Sequence, residues 1–427
     1  MKFAICNLGC KVNNYEANWY KQQLAFKYEE VAFGEKADIY IINSCTVTNT
    51  AGSKSRQMMH RARKLNPEAC ICVVGCYVQM EYGDNGIFDD MDILIGSNHK
   101  GELPQLIDEY LQNHEKIVRV DPVINECPFE EMALHQFDQT RAYLKIQDGC
   151  NQFCSYCVIP LARGRERSLD PDKVIAIAQQ LVNSGHKELV LTGIHTGRYH
   201  YGDTGFTALV KRILSEVDGL ERLRISSIEI TEVTDELAQL IKEDSRLAKH
   251  LHIPLQAGSD SVLKAMRRPY DTARFLDSIR EIRAIAGPVS ISSDVIVGFP
   301  EESEQEFETT CAFVQEVGFS FLHIFPYAAK QHTVAASMKG QIAGPIKHER
   351  VGKLTKISDG LYNNFVNKFP NGEGEILVER YLDGWWFGHN SEYVLTKIKS
   401  DQDLKNQMVK VRYCGVDTED TLIGELL

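Results

Sequence analysis

The sequence predicts an α/β protein in three parts: an N-terminal parallel α/β sheet, a central (β/α)6 partial barrel of TIM type, and a small antiparallel β-barrel at the C-terminus. Three observations carry this. Short apolar runs alternate with helix-like stretches in the N-terminal part, the pattern of parallel βαβ units. Six further strand–helix pairs follow within about 200 residues, enough for a barrel or partial barrel. Short strands separated by turn signals close the chain. A length of 427 residues accommodates several domains.

In the first part the strand candidates are Lys2 to Cys6, Asp38 to Asn43 and Cys70 to Gly75, with helices over Tyr15 to Lys27 and Ser53 to Lys64. Residues 1–114 form this domain, and residues 115–136 read as a linker, since Pro122 and Pro128 interrupt any period. Residues 137–367 hold the barrel strands Tyr143–Gln147, Glu188–Thr192, Leu223–Glu229, Leu251–Leu255, Ser290–Val297 and Phe319–Phe325. Asp170 followed by Pro171 signals a helix start, and Ser303 with Glu306 a capping box. An open doubly wound sheet is the competing topology. In residues 368–427 the strands are Glu375–Tyr381, Trp386–Asn390, Tyr393–Lys399, Met408–Tyr413 and Thr421–Glu425, with a hairpin turn at Asp383-Gly384.

Composition narrows the function classes. Apolar residues at 43% and charged residues at 25% exclude a disordered or fibrous chain. No apolar run reaches about eighteen residues, so a membrane-spanning helix is not expected. The N-terminus lacks the apolar core of a signal peptide, and a cytoplasmic location follows as the expectation. A net charge of 47 − 59 = −12 argues against indiscriminate nucleic-acid binding but allows a local basic patch. In a reducing compartment, twelve cysteines point to metal sites rather than disulfides.

Cys150-x-x-x-Cys154-x-x-Cys157 lies in the loop after the first barrel strand. Three thiolates this close suit a soft metal or an iron–sulfur cluster, and three ligands leave one iron of a four-iron cluster open. A zinc site completed by His135 is the other reading of the spacing. Cys10, Cys45 and Cys76 each follow a strand of the first sheet, at intervals of one βα unit. Loops at the C-terminal ends of parallel strands converge, so these three cysteines are expected to meet as a second cluster site. Cys6, Cys70, Cys72, Cys311 and Cys414 fall inside strands or helices and read as structural.

The spacing of the barrel cysteines, with Tyr156 before the last of them, resembles the radical S-adenosylmethionine superfamily. Asn7-Leu8-Gly9-Cys10-Lys11-Val12-Asn13, Asn43-Ser44-Cys45-Thr46-Val47-Thr48-Asn49-Thr50-Ala51 and Val74-Gly75-Cys76 resemble the N-terminal domain of the methylthiotransferases. The likeness continues through Arg163-Gly164-Arg165-Glu166-Arg167, Pro254-Leu255-Gln256-Ala257-Gly258-Ser259 and Asp294-Val295-Ile296-Val297-Gly298-Phe299-Pro300, and it implies that the C-terminal barrel is a TRAM domain. Within the family, the forms around Cys10 and Cys45 resemble the branch acting on threonylcarbamoyladenosine in tRNA.

The resemblance implies two 4Fe-4S clusters, an auxiliary one on Cys10, Cys45 and Cys76 and one on Cys150, Cys154 and Cys157 that binds S-adenosylmethionine. It implies transfer of a methylthio group to carbon 2 of threonylcarbamoyladenosine at tRNA position 37, beside the anticodon. One molecule of S-adenosylmethionine methylates a sulfur at the auxiliary cluster, and the other yields the radical. Related family substrates are isopentenyladenosine in tRNA and a ribosomal-protein aspartate. A zinc-bearing RNA-binding module without activity belongs to a different class. The resemblance places contacts to S-adenosylmethionine at Tyr156, Thr192, Gly193, Gln256 and Gly298, and calls for a low-potential electron donor such as flavodoxin or ferredoxin. His195 reads as an ordinary loop histidine.

The expected partner is the tRNA anticodon stem-loop. Lys54, Arg56 and Arg61 lie on a predicted helix stretch free of acids, a phosphate-binding face or a solvated charge run. Arg163, Arg165 and Arg167, just past the last barrel cysteine, are expected to contact tRNA. Residues 371–427 carry six Lys/Arg and eleven Asp/Glu, 6 − 11 = −5, so the last domain is a poor electrostatic partner for RNA.

Overall fold

The computed structural model of the chain describes residues 1–47, 49–83, 86–123 and 127–427. Thr48 of the Cys45 motif and residues 124–126 of the expected linker lie outside them.

The first domain is a six-stranded, all-parallel sheet in the order β2-β1-β3-β4-β5-β6. Its strands are β1 (Lys2–Asn7), β2 (Glu29–Glu30), β3 (Ile39–Ser44), β4 (Cys70–Gly75), β5 (Ile93–Ile95) and β6 (Ile117–Arg119). The helices are α1 (Lys11–Leu24), α2 (Asn49–Leu65), α3 (Cys76–Glu81) and α4 (Leu103–Asn113). Every residue of β3 and β4 is buried, which explains their unbroken apolar sequence. Side chains alternate between faces, so Ile39, Ile41 and Cys72 join one core while Tyr40, Ile42, Ile71 and Val73 join another with Met59 and Ala62 of α2. The strand order reverses between β1 and β3, and such a switch point opens a crevice at the strand C-terminal ends.

The sheet runs past the expected boundary at residue 114, because Ile117–Arg119 pairs with β5. Nor are residues 132–137 a loose tether. Met132, Leu134 and Phe137 are buried, and the Tyr15 hydroxyl of α1 donates to the Met132 carbonyl at 2.5 Å. Apolar content without a period still makes a packed strap when a neighbouring domain covers it.

In the barrel, Arg141–Lys145, Glu188–Thr192 and Arg222–Ile225 form one parallel sheet, and His250–His252, Ser290–Val297 and Phe321–Pro326 another. A bridge between Leu223 and Leu247 lies beside the junction. Strands pair in chain order, the arrangement of a singly wound barrel, and the doubly wound alternative falls away. Two strands are shorter than expected: the third stops at Ile225, the fourth at His252. Asp170 accepts from the Asp172 amide, and Ser303 and Glu306 form the reciprocal capping box.

A long helix, Gly344–Val366, packs on the last barrel strand and leads into the C-terminal domain. The five strands there close into a barrel. Asp383 and Gly384 both have positive φ, as the hairpin requires. The domain is not purely antiparallel, because Leu395–Ile398 runs parallel to Leu422–Leu426. The last strand inserts between the third and fourth, and closure fixes its direction. Trp386 belongs to this domain's core, while Trp385 is covered by Lys397 and Lys399 at 5.0 and 4.8 Å.

This domain seals the N-terminal end of the central barrel. Arg222 donates to the carbonyls of His389 and Glu375, and Arg224 to those of Asn390 and Ser391. Both arginines pair with buried Glu188, at 3.1 and 2.6 Å. The Tyr393 ring stacks on His250 at 5.2 Å, with the Arg141 and Arg224 guanidinium groups 4.9 and 5.0 Å from its centroid. Among the described residues no helix is long and apolar enough to cross a membrane.

Burial would raise the Glu188 carboxyl, but Arg224 and Arg222 outweigh it and hold it at about 2, against an ordinary 4.5. A depressed carboxylate stabilises the fold above its unfolded value and loses that contribution as pH falls from 4.5 toward about 2. Glu188→Gln is expected to cost about 3 kcal/mol near neutrality, by leaving buried cations uncompensated. It should also flatten the acid limb of the stability curve over that window. Chemical denaturation between pH 2 and pH 7 checks both, and an unchanged acid limb would remove Glu188 from the role.

Candidate active site

Cys10 precedes α1 with an extended backbone, Cys45 directly follows β3, and Cys76 opens α3. Paired asparagines stitch the first two loops together. Asn13 Nδ2 donates to Asn43 Oδ1 at 2.9 Å, Asn43 Nδ2 returns a bond to the Asn13 carbonyl at 2.7 Å, and the Cys10 thiol donates to Asn13 Oδ1 at 3.3 Å. Gly75, before Cys76, has φ of 104°, and a Cβ there would lie 2.8 Å from the Ser44 carbonyl oxygen. The switch point between β1 and β3 thus carries Cys10 and Cys45, with Cys76 just past the end of the next strand, β4.

The thiols feel one another. Burial, then Cys76, with a further contribution from Cys10, push Cys45 up to about 11. Cys72, by contrast, is fully buried in β4 with its sulfur 3.7 Å from that of Cys70. Cys6 is half-buried in β1. Both stay within strands.

The second set lies on the loop after the first barrel strand. A Cβ on Gly149, at φ of 73°, would fall 1.9 Å from the Arg165 carbonyl oxygen, so only glycine lets the loop turn here. The Cys150 amide donates to the Gly164 carbonyl, and Ser155 bonds to Met266 and Ala265. Arg268, almost wholly buried, donates to Cys154 Sγ at 3.4 Å and pairs with Glu229. Burial pushes Cys157 up to about 12. A thiol so placed becomes a thiolate only when a metal takes the place of the proton, which is the chemistry of a cluster ligand. The residues therefore fit an iron–sulfur centre held by three cysteines.

The histidine beside this loop is His195, not His135. His195 Nδ1 lies 3.5 Å from Cys150 Sγ, and its Nε2 is 2.7 Å from Glu232 Oε1. Burial lowers its pKa, but hydrogen bonds to Cys150 and Glu232 carry it up to about 10. His135 is exposed, and its amide donates to Gln22 of α1.

A cleft of about 250 Å³ opens beside both loops. Its lining includes Val47, two residues past Cys45, together with Tyr156, Cys157, Gln256, Asp294, Phe325 and Lys330. Lys330 also faces the Cys45 thiol electrostatically. Tyr156 and Gln256 thus reach the cleft as expected. Thr192 and Gly193 do not line it: the Thr192 hydroxyl bonds back to the Val190 carbonyl, and Gly193 packs over Gln147. Gly298 also lies apart from it. Its amide is taken by Glu302 at 2.6 Å, and a Cβ would strike the Lys347 side chain.

Two of the expected tRNA arginines are interior. Arg163 is 1% exposed and bonds Asp148 at 3.0 Å, Glu16 at 3.4 Å and Asn13 at 3.3 Å. Arg167 lies 3.5 Å from Asp148 and donates to the Arg163 and Arg165 carbonyls. Lys145 and Lys100 complete the group, both bonded to Glu16. Arg165, Lys54, Arg56 and Arg61 are exposed, Arg165 above the Phe153 ring at 4.8 Å and Arg56 bonded to the Tyr77 hydroxyl at 2.7 Å. Sequence reasoning assigns no role to Asn13, Asn43, Asp294, Arg268 or Lys330, although the asparagines and Asp294 sit inside the family-like motifs, and it reads His195 as an ordinary loop histidine.

Comparison with known proteins agrees with this geometry. The Radical SAM superfamily model matches residues 144–314, and the model described as Uncharacterized protein family UPF0004 matches residues 2–96. The fold is similar to the radical S-adenosylmethionine methyltransferase TsrM of Kitasatospora setae, at TM-score 0.58 and 13% identity over 78% of this chain and 77% of that one. The matched superfamily model and the cysteine loop define a radical S-adenosylmethionine enzyme, a class that works with a 4Fe-4S cluster and S-adenosylmethionine. The threonylcarbamoyladenosine tRNA methylthiotransferase MtaB of Bacillus subtilis is 41% identical over 96% of this chain and 93% of its own length. The same-named protein of Aquifex aeolicus is 36% identical over 90% and 96%. The tRNA-2-methylthio-N(6)-dimethylallyladenosine synthase of Clostridium perfringens is 30% identical over 100% and 97%. The chain belongs to the radical S-adenosylmethionine methylthiotransferase family, in its MtaB-type branch.

Arg163→Met is expected to lower stability by about 2–3 kcal/mol, since it removes buried hydrogen bonds to Asp148, Glu16 and Asn13 while Lys100, Lys145 and Arg167 still face the two carboxylates. Arg165→Ala should change stability by less than about 0.5 kcal/mol. Guanidinium unfolding of both variants checks the contrast, and equal small losses would return Arg163 to the surface role.

Proposed function

We propose that this chain adds a methylthio group to carbon 2 of threonylcarbamoyladenosine at tRNA position 37, working in the cytoplasm with a flavodoxin- or ferredoxin-like electron donor. The observation that carries it is the single cleft bordered by residues next to Cys45 and by Cys157. When bound, the barrel cluster with S-adenosylmethionine supplies a radical that can take hydrogen from an aromatic carbon, and the auxiliary cluster supplies the sulfur. The C–H bond at carbon 2 has no usable acidity, so the residues need only bind, orient and exclude water.

Cys150, Cys154 and Cys157 hold the first cluster and Cys10, Cys45 and Cys76 the second. Tyr156, Gln256 and Asp294 border the space for S-adenosylmethionine and the base. Lys54, Arg56 and Arg61 on α2 and Arg165 at the cluster loop offer phosphate contacts on the exposed surface. The acidic C-terminal domain spends part of its surface sealing the barrel, which supports placing the RNA on the other domains.

Replacing Cys150, Cys154 and Cys157 together by Ala should remove about half the iron. Cys45→Ala should still release 5′-deoxyadenosine from S-adenosylmethionine under reduction, yet leave tRNA without a methylthio group. Cys154→Ala should do neither. Mass spectrometry of tRNA nucleosides from a strain lacking the chain is the decisive assay. Loss of the methylthio form of threonylcarbamoyladenosine supports the function, and its persistence overturns it.

A further inference from the structure

Below the cleft lies a second cavity of about 270 Å³, the barrel lumen. The two are stacked along the inward faces of the same strands. On one strand Ser292 lines the lumen and Asp294 and Ile296 the cleft. On the next, Phe321 and His323 line the lumen and Phe325 the cleft. Alternate residues share a face, so a group bound in the cleft can extend directly downward. Tyr393 of the C-terminal domain also lines the lumen, at the sealed end described above.

The lumen is polar, and most of its polar groups have partners. Arg224 bonds Glu188, and Arg141 lies 3.5 Å from Glu379. Asp294 pairs with His252 Nε2 at 3.2 Å, and Ser292 Oγ bonds both His252 Nδ1 and His250 Nε2 at 2.9 Å. Lys11 differs. It projects from the start of α1 into this cavity, near Arg141, Arg224 and Asp294, and makes no hydrogen bond or ion pair among the described residues. His250 Nδ1, in the wall of the same cavity, is buried and likewise without a partner. The solvent-accessible ammonium of Lys11 and the buried, unpartnered ring nitrogen of His250 border one cavity, and together they offer partners to an anionic, hydrogen-bonding occupant.

We propose that the lumen receives the N6 substituent of the substrate adenosine, with its carboxylate paired to Lys11. This rests on the function proposed above. The exocyclic bonds at carbons 2 and 6 of a purine diverge, so a base presenting carbon 2 to the cleft sends its N6 arm elsewhere. A threonylcarbamoyl arm ends in the carboxylate and hydroxyl that such a pocket matches, whereas an isopentenyl arm has neither.

The test uses the full chain with its clusters reconstituted and labelled anticodon stem-loops carrying the threonylcarbamoyl base as free acid or methyl ester. Fluorescence anisotropy gives the affinity ratio of acid to ester. Wild type should favour the acid by roughly ten- to hundredfold, the scale of a charge-assisted hydrogen bond. Lys11→Met should bring the ratio to about one, and Lys11→Arg should keep most of it. His323→Trp, remote in sequence from the six cluster cysteines, should fill the lumen and abolish the ratio even if Lys11→Met loses iron. A preference that survives both Lys11→Met and His323→Trp places the arm elsewhere, as does a wild-type ratio near one in an enzyme that methylthiolates this base. If the wild type modifies only another adenosine, the proposed function itself fails, a result the nucleoside assay reports separately.

Discussion

The whole arrangement turns on a buried charge group between the first sheet and the barrel. Glu16 comes from α1, Lys100 from the segment before α4, Lys145 and Asp148 from the first barrel strand and the loop after it, and Arg163 and Arg167 from beyond the barrel cysteines. Burial pushes the Glu16 carboxyl up, but Lys100, Arg163 and Lys145 outweigh it and hold it at about 2. Charges taken out of water persist only when their geometry is nearly fixed. That requirement locks the two cysteine-bearing loops into one relative position, since Arg163 also reaches Asn13 beside Cys10. Two carboxylates face four cations, and the surplus positive charge lies toward the thiols of Cys76 and Cys10.

Much of this was legible in the sequence, for identifiable reasons. The placement of Cys10, Cys45 and Cys76 could be read because loops at the C-terminal ends of parallel strands converge, and all three stand just past strand ends. Cys72 could be set aside because a residue inside a two-faced buried strand points into packing. Caps and turns were readable at Asp170, Ser303 and Asp383-Gly384, where local chemistry decides local structure.

What failed to be legible depends on burial and on contacts between distant segments. Arg163 and Arg167 look in sequence like any basic run beside an active-site mouth. Arg163 becomes an interior ion partner through Asp148 and through Glu16, 147 residues before it, and Arg167 turns inward against the same Asp148. The described residues of the segment 115–136 have no period because they serve two domains, giving one strand to the sheet and apolar anchors to the shared core. At Gly298 the close approach of the Lys347 side chain, which a Cβ would strike, comes from a helix some fifty residues further on and leaves no local signal. The lumen residues Arg141, Arg224, His250 and His252 pass for solvent-facing strand positions, since polar alternation cannot distinguish water outside from a polar cavity within.

Tyr393, standing in the floor of the barrel, has one more consequence. Because its ring and the loop carrying it are the stopper, the depth of the reaction chamber is set by a domain that need never meet the chemistry. Removing that domain would therefore do more than trim a surface: it would convert a closed-ended well into a tube, admitting water from below to a place where a radical must survive until it reaches its target. Such a domain is kept by the solvent it excludes, whatever the sign of its charge.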